Sequence, residues 1–272
     1  MNEETAFRWD DLDERYRVIL CDIWGVVHDG VRLNPGAAER LERWHEEGRL
    51  VLLITNAPRT ADDVARQLDR MGLQRSRWDA ILTGGDAGIA VLRTLGRPVG
   101  FLGTAEDRAV LEGNGIRIAD TGTFTDMACA GLERERPRVD QYTDELEAWA
   151  QRGVLLHCLN ADRVVMHGDS AELCAGAIAD LYEQLGGTVA WYGKPYRAIY
   201  DHALKLAGNP APSSVLAVGD GLRTDMLGAA RMGFDAVFVS GGIHDHEAFP
   251  TDFAAVSGVP NWRPIATVDR LI

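Results

Sequence analysis

Short apolar segments alternate with amphipathic helical segments along almost the whole 272-residue chain. The segment 17–23 predicts a buried strand, and 35–47 predicts a helix that ends before Gly48. A second strand and helix follow, with the strand over 50–54 and the helix over 60–71, which ends before Gly72. An alternation of this kind is typical of parallel sheets whose faces are covered by helices, so we predict an α/β fold.

The pattern continues as far as residue 239. Functional side chains in such folds collect at the carboxyl ends of the strands, so the residues that follow each strand are of most interest. The further predicted strands are 79–82, 99–102, 116–119, 154–159, 188–191, 214–218 and 235–239, and the further helices are 86–95, 105–111, 140–151, 172–185, 196–207 and 224–232.

The charge balance disfavours two classes of partner. The chain has 28 basic and 41 acidic residues, a formal net charge of −13 and a sequence pI near 5.0. A surface this acidic repels nucleic-acid phosphates and anionic lipid headgroups. The longest apolar stretches, such as 18–21 and 50–54, are far shorter than the ~20 residues that span a bilayer. We therefore expect neither a nucleic-acid nor a membrane partner.

The cysteines and the amino terminus favour a cytoplasmic protein. Four cysteines are scattered without a C-x-x-C pair, which is atypical of a disulfide framework or a zinc cage and fits a reducing compartment. The start Met-Asn-Glu-Glu lacks the basic residues and apolar centre of a signal peptide. The cysteines are Cys21, Cys129, Cys158 and Cys174.

Four predicted strands end in residues that can carry chemistry. The first ends at Asp22 ahead of a glycine turn, and the second ends at Thr55-Asn56. Gly193-Lys194-Pro195 follows a third strand, and Gly219-Asp220-Gly221-Leu222-Arg223-Thr224-Asp225 follows a fourth. An aspartate before a glycine is most often a plain turn, but all four segments in this order indicate a shared site.

These residue types suit one phosphate-binding site. A carboxylate nucleophile such as Asp22 needs a cation to approach a phosphate, and two aspartates plus a carbonyl suit a hard ion such as Mg²⁺. The Lys194 ammonium can neutralise the remaining negative charge. The Thr55 hydroxyl and the amides around Asn56 can hold phosphoryl oxygens by short hydrogen bonds.

The four segments resemble, in order, motifs one to four of the haloacid dehalogenase (HAD) superfamily of hydrolases. The chain is similar over nearly its whole length to class IIA of that superfamily, the NagD-like sugar and nucleotide phosphatases. Asn160-Ala161-Asp162 resembles the Asn-Pro-Asp near the end of that branch's cap domain. The resemblance implies a Rossmann-like core with a parallel sheet, over 1–84 and 187–272, and an inserted α/β cap over 85–186.

The resemblance also implies a role for each matching residue. Asp22 is the expected nucleophile, which forms an aspartyl-phosphate, and Lys194 is the second catalytic residue. Mg²⁺ is expected to bind Asp22, the backbone carbonyl of Trp24 and Asp220, with Asp225 supporting a metal-bound water or Lys194. The expected substrate-binding residues are Thr55, Asn56, Ala57, Lys194 and Asn160.

One position departs from the family pattern. Phosphatases of this superfamily carry a second aspartate two residues after the nucleophile, which protonates the leaving oxygen, and here that position is Trp24. Loss of a general acid typically costs about 10²–10⁴ in rate, and an indole N–H cannot replace it. His28 is a candidate substitute, although we expect it on a polar surface, and His244-Asp245-His246 is expected to be a solvated loop.

Three functions stay open from the sequence. The first is a cytoplasmic, Mg²⁺-dependent phosphatase that acts on a small phosphorylated metabolite, which Asp220 and Asp225 favour. The second is a metal-independent hydrolase similar to the 2-haloacid dehalogenases, which carry tyrosine at the position of Trp24. The third is a catalytically weak protein that binds phosphate for regulation. The identity of the substrate and any self-association do not follow from the sequence.

The rarity of lysine generates a first prediction. Only Lys194 and Lys205 are lysine among the 28 basic residues, so a compact ammonium is expected to matter at position 194. We expect Lys194→Arg to lower the turnover of a phosphate ester at least tenfold, about 1.4 kcal/mol in barrier. Lys205→Arg, in a predicted helix, is the matched control. Equal sensitivity of the two variants in steady-state kinetics would contradict the argument.

Overall fold

The computed structural model describes residues 7–119, 123–167, 170–242 and 249–272. Within these ranges, two sheets and one hairpin hold the strands. The first sheet has the order β12-β11-β10-β1-β2-β3. Its strands are β1 Val18–Asp22, β2 Leu50–Thr55, β3 Ala80–Thr83, β10 Val215–Gly219, β11 Asp235–Val239 and β12 Ala266–Val268.

The second sheet has four strands in the order β4-β5-β6-β9, and each neighbouring pair is parallel. These strands are β4 Gly100–Leu102, β5 Asp126–Cys129, β6 Leu155–Cys158 and β9 Thr188–Trp191. A separate antiparallel hairpin consists of β7 Val164–His167 and β8 Ser170–Leu173.

The helices are short, and none of those in the described ranges has the length and apolar character needed to cross a membrane. Threonine side chains cap the starts of three of them, since Thr83 Oγ1 accepts the amide of Asp86 at 2.8 Å, and Thr60 Oγ1 and Thr104 Oγ1 accept those of Asp63 and Asp107, each at 3.2 Å. The helices are α1 Ala37–Glu46, α2 Ala61–Arg70, α3 Gly84–Thr94, α4 Ala105–Gly113, α5 Thr143–Gln151, α6 Ala175–Gln184, α7 Arg197–Leu206, α8 Leu227–Met232 and α9 Phe253–Ser257.

The chain forms two compact units. The first comprises residues 1–54, 67–81 and 200–272, and the second comprises 55–66 and 82–199. The predicted cap, 85–186, falls inside the second unit. Strand β9 follows that predicted range, and it pairs with β6 in the four-stranded sheet. Lys194 therefore follows a strand of the second unit.

The first unit is built around β1 and β10, in which every residue is buried. Such uninterrupted burial is expected of parallel strands with both faces covered, and it explains their continuous apolar sequences. The register pairs Cys21 with Val218. The two strands therefore end side by side, and the residues that follow them can share one site.

The second unit has an apolar cluster on each face of its sheet. Leu156 and Cys158 belong to a cluster with residues of α5 and α6. Leu159 and Ala128 belong to another, together with residues of α3 and α4. The alternation of side chains along each strand separates the two sets.

Some predicted elements are wrong. The predicted strand 116–119 is reduced to a single parallel bridge between Val99 and Ile118. The helix predicted over 172–185 begins only at Ala175, because the residues before it form β8. No strand is predicted from the sequence at the position of β5, because alanine and aspartate, which it contains, are weak strand formers. Parallel pairing on both sides holds that strand in place.

Candidate active site

Three carboxylates meet at the ends of β1 and β10. Asp22 is the last residue of β1, and Asp220 directly follows β10. Together with Asp225 they form a buried group whose potential ligand oxygens all lie within 4.8 Å of one another. The exposed fractions are only 6% for Asp22, 3% for Asp220 and 4% for Asp225.

A wide helical turn brings Asp225 into this group. The amide of Met226 donates to the carbonyl of Gly221 at 3.0 Å, a hydrogen bond over five residues instead of the four of an α-helix. Inside the turn, the amide of Gly221 donates to Asp225 Oδ2 at 3.1 Å, and Thr224 Oγ1 donates to the same oxygen at 3.3 Å. The helix predicted over 224–232 is corrected accordingly, since the α-helix begins at Leu227.

Glycines leave the space that two of these carboxylates occupy. A Cβ on Gly25 or on Gly242 would lie 2.0 Å from Asp220 Oδ2, and one on Gly219 would lie 2.2 Å from Asp225 Cγ. Gly25 also has a φ of +88°, which favours glycine. The sequence motifs contain Gly25 and Gly219 but not Gly242. The only sequence signal for that residue is the glycine pair that follows β11.

A compact turn follows the nucleophile position. The amide of Ile23 donates to Asp22 Oδ1 at 2.7 Å, and the amide of Gly25 donates to the carbonyl of His28 at 2.8 Å. The Trp24 and His28 rings meet edge to face, with centroids 5.1 Å apart. His28 Nδ1 accepts the amide of Gly30 at 2.9 Å.

The burial of His28 differs from the prediction made from the sequence. Its side chain is 2% exposed, so the prediction of a polar surface position is wrong. Two contacts explain why His28 is buried. The hydrogen bond from Gly30 satisfies Nδ1, and the indole ring of Trp24 covers part of the imidazole ring. The tripeptide at 244–246 lies outside the described residues.

The carboxylate group fits a divalent cation. Hard ions such as Mg²⁺ prefer oxygen ligands at about 2.1 Å, so oxygens on opposite sides of the ion lie about 4.2 Å apart. The 4.8 Å limit on the three carboxylates is close to that value. The glycines at 25 and 242 leave room for a carboxylate that must face inward. The donor set and its spacing therefore suit Mg²⁺.

In the second unit, the side chain of Asn56 fixes the backbone of Lys194. Asn56 Oδ1 accepts the amide of Lys194 at 2.6 Å, and Nδ2 donates to the Lys194 carbonyl at 3.1 Å. The remaining Nδ2 hydrogen reaches Asp162 Oδ1 at 2.9 Å. Both Asn56 and Lys194 are buried. Both hydrogens of this side-chain amide are used, so a hydrogen bond donated by Asn56 to a phosphoryl oxygen has to come from its main chain.

The other predicted substrate-binding residues stabilise the loops that carry them. Thr55 Oγ1 accepts the amide of Ala57 at 3.2 Å, and Asn160 Oδ1 accepts the amide of Asp162 at 3.0 Å. Asp162 thus links Asn160 to Asn56, and Asn56 in turn holds the main chain of Lys194. Asp162 is not among the site residues predicted from the sequence, although it is the third residue of the motif 160–162.

Close approach of backbone segments explains three more glycines. A Cβ on Gly193, whose φ is +95°, would lie 2.3 Å from Asn56 Oδ1. A Cβ on Gly84 would lie 2.8 Å from the carbonyl oxygen of Leu159. On Gly85 it would lie 2.4 Å from the carbonyl carbon of Pro58. Gly193 therefore leaves room for the Asn56 side chain, and Gly84 and Gly85 allow the start of α3 to pack against neighbouring backbone.

The four cysteines are buried. Burial raises the pKa of the Cys129 thiol to about 12 and holds that of Cys158 well above its ordinary value. A thiol is nucleophilic only as the thiolate, so neither residue suits nucleophilic catalysis.

Gly242 provides a test of the carboxylate group. We expect Gly242→Ala to weaken Mg²⁺ binding at least tenfold, because the new methyl group would displace the Asp220 carboxylate. Calorimetric titration measures the affinity, and a melting curve verifies the fold. Gly113→Ala is the control, since a Cβ there meets nothing within 4 Å. Unchanged Mg²⁺ affinity in a folded Gly242→Ala protein would show that Asp220 takes no part in binding.

Comparisons with known proteins bear on the family to which the chain belongs. A family model described as haloacid dehalogenase-like hydrolase matches residues 19–117, and a second, HAD-hydrolase-like model matches residues 191–264. The structure is similar to a crystal structure of a hydrolase of the haloacid dehalogenase-like family from Brucella suis 1330. The identity is 32%, the TM-score is 0.87, and the match covers 97% of this chain and 99% of the other.

Two phosphatases are also similar. The chain is 26% identical to the ribonucleotide monophosphatase NagD of Escherichia coli K12 over 249 residues, 90% of this chain and 94% of NagD. Its fold matches a glycerol phosphate phosphatase from Mycobacterium tuberculosis, in complex with magnesium, with 24% identity and a TM-score of 0.68 over 94% of this chain and 76% of the other. The family models, the motifs and the fold agree: the chain belongs to the haloacid dehalogenase superfamily of hydrolases, in its class IIA, NagD-like branch.

Proposed function

We propose that this hydrolase is a Mg²⁺-dependent phosphatase that acts on a small phosphorylated metabolite through an aspartyl-phosphate on Asp22. The observation that carries the proposal is the buried group of Asp22, Asp220 and Asp225. Relatives whose names describe a ribonucleotide monophosphatase and a glycerol phosphate phosphatase support the class of substrate. The cytoplasmic location stays a prediction.

Mg²⁺ would be held by Asp22, Asp220 and the carbonyl of Trp24. Asp225, in the same carboxylate group, would support these ligands. When bound, the ion supplies the positive charge that lets an anionic nucleophile approach an anionic phosphate. A bound ion would also offset the repulsion between the buried carboxylates.

Asp22 performs the covalent step. One carboxylate oxygen attacks phosphorus, the bond from phosphorus to the ester oxygen breaks with its electron pair going to that oxygen, and the leaving group departs as its anion or as the alcohol after taking a proton from water. Water then attacks the aspartyl-phosphate at phosphorus, which releases inorganic phosphate and restores the carboxylate. The amide of Ile23 holds Asp22 Oδ1 and orients the carboxylate before the substrate arrives.

Lys194 balances the charge that develops on the phosphoryl oxygens. Asn56 acts through its side chain on the backbone of Lys194, and through its main chain on the phosphoryl group. Thr55 and Ala57 supply a hydroxyl and an amide, and that amide must exchange its present hydrogen bond with Thr55 for one to the substrate. Asn160 shapes the loop beside Asp162.

Trp24 determines which substrates turn over quickly. Without a carboxylic acid at this position, a leaving alcohol departs as its anion or takes its proton from water. Esters with acidic leaving groups are therefore the favoured substrates. A protein that binds phosphate but hydrolyses slowly is the second candidate, because Trp24 removes a group that accelerates the reaction.

A panel of phosphate esters with leaving groups of graded acidity, with and without Mg²⁺, tests the proposal. We expect turnover that requires Mg²⁺ and rises steeply with leaving-group acidity. Asp22→Asn should abolish turnover in a folded protein, whereas Asp62→Asn, at an exposed position of α2, should leave it unchanged.

Three results would overturn the proposal. Phosphate binding without hydrolysis of any ester would indicate the binding protein. Halide release from 2-haloacids without metal would indicate the dehalogenase-like reaction. Activity of Asp22→Asn within tenfold of the parent protein would show that Asp22 is not the nucleophile.

Restoring the general acid is a separate prediction. Trp24→Asp places two carboxylates two residues apart, as in the family pattern. We expect the rate for alkyl phosphates to rise by up to ~10²-fold, while aryl and acyl phosphates gain little. Loss of the indole ring beside His28 can lower stability, so a melting curve accompanies the kinetics. A folded, Mg²⁺-binding variant that gains nothing on alkyl phosphates would contradict the role assigned to position 24.

A further inference from the structure

A chain of polar side chains crosses one face of the sheet in the second unit. Arg97 Nη2 donates to Asp126 Oδ2 at 2.7 Å. Asp126 Oδ1 lies 3.0 Å from His157 Nε2, and His157 Nδ1 lies 2.8 Å from the hydroxyl of Tyr192. Asp126 is 3% exposed and His157 is 2% exposed. The chain starts at the largely exposed side chain of Arg97 and ends two residues before Lys194.

Apart from the Thr125 hydroxyl, which donates to Asp126 Oδ2 at 2.7 Å, the chain lies on an apolar face. The same face carries the cluster of α3, α4 and the strands, and Tyr192 packs against it. A buried carboxylate and imidazole cost free energy unless every polar atom is paired, and replacing such a pair by apolar residues is often stabilising. Stability is therefore a poor explanation of these residues. The cluster consists of Ile89, Leu92, Val99, Leu111, Ile116, Ala128, Ala130 and Leu159.

The positions of the protons follow from chemistry. Burial alone would raise the pKa of Asp126, but hydrogen bonds from Thr125, His157 and Arg97 outweigh it and hold the pKa below its ordinary value. The carboxylate can only accept, so His157 Nε2 carries a proton. His157 Nδ1 and the Tyr192 hydroxyl share the next hydrogen bond, at 2.8 Å. Burial raises the pKa of Tyr192 to about 12, so the hydroxyl keeps its proton.

The backbone on both sides of Gly193 is fixed. The amide of Tyr192 donates to the carbonyl of Cys158 at 3.2 Å, and its hydroxyl is held by His157. On the other side, the Lys194 amide is held by Asn56 Oδ1 at 2.6 Å. Gly193, with a φ of +95°, is the single conformationally permissive residue between these two anchors.

We propose that Asp126 and His157 act through Tyr192 to position Lys194, which makes Tyr192 a positioning residue for the ammonium. This inference rests on the proposed function only where it assigns Lys194 to the phosphoryl group. Removing the tyrosine hydroxyl takes away the side-chain anchor and leaves the amide of Tyr192 as the remaining hydrogen bond at that end of the 192–194 segment, so rotation about Gly193 becomes easier. Lys194 then samples orientations in which its ammonium no longer meets the substrate.

The scarcity of lysine allows a direct measurement. Trace acylation of the whole protein by acetic anhydride, followed by mass spectrometry, gives the labelling rate of Lys194 relative to the exposed Lys205. We expect Tyr192→Phe to raise the ratio of the Lys194 rate to the Lys205 rate at least threefold. Tyr182→Phe is the matched control, since it removes a buried hydroxyl that donates to the Val154 carbonyl at 2.6 Å in the same unit. We expect that control to leave the ratio unchanged.

A second measurement connects the positioning to phosphate. Calorimetry with inorganic phosphate and Mg²⁺ should show affinity reduced three- to tenfold by Tyr192→Phe. In a Lys194→Met background, the same substitution should have no further effect, because the group that it positions is gone. Two additive losses would indicate a merely structural role and would overturn the inference.

The two measurements separate the possible failures. An unchanged labelling ratio in Tyr192→Phe, or an equal rise in Tyr182→Phe, overturns the positioning of Lys194 whatever the protein hydrolyses. A raised ratio in Tyr192→Phe alone, with phosphate affinity insensitive to Lys194→Met, supports the positioning. That second result contradicts the phosphate role given to Lys194 in the proposed function.

Discussion

Mutual repulsion among three buried carboxylates is the constraint on which the site depends. At 4.8 Å, two unit negative charges repel by about 3–4 kcal/mol at an effective dielectric constant of about 20. The folded protein can keep these carboxylates together only if hydrogen-bond donors or a cation offset their repulsion. The amides of Ile23 and Gly221 each donate to one carboxylate, and a bound cation would supply the rest. Strand ends, glycines and a wide helical turn all converge on these three side chains.

In the second unit, a neutral side chain holds the main chain of Lys194. Asn56 uses both amide hydrogens and its carbonyl oxygen, and two of these three hydrogen bonds go to the backbone of Lys194. An aspartate at position 56 would keep the acceptor and lose both donors. The Lys194 main chain is thus fixed by a neutral group, which adds no charge beside the ammonium.

The parts of the site that belong to continuous strands could be predicted from the sequence. Asp22 and Asp220 follow unbroken apolar segments, and burial of both strands makes those segments easy to find. The α/β class follows from the same alternation. The haloacid dehalogenase family follows from four motifs in order, and the family models confirm it.

The parts that depend on contacts between distant segments could not be predicted. Gly242 matters only because its backbone approaches Asp220, and Asp162 only because it meets Asn56, which lies 106 positions earlier. His28 is buried by contacts with Trp24 and with one turn amide, and no local sequence pattern predicts these two contacts together. Strand β5 forms because it pairs with β4 and β6 on its two sides, and not because its own residues favour a strand.

The wide turn after β10 has a consequence for how the chain can vary in length. Successive residues of an α-helix are rotated by about 100° around its axis, so one residue more or less turns a side chain away from its partners. The hydrogen bond from Met226 to Gly221 accommodates one residue beyond an α-helical turn. Deleting a single residue there would tighten the turn to α-helical geometry and swing Asp225 off the other two carboxylates. Insertions and deletions in this family are therefore expected to avoid the segment 220–226, however freely surface loops elsewhere change length.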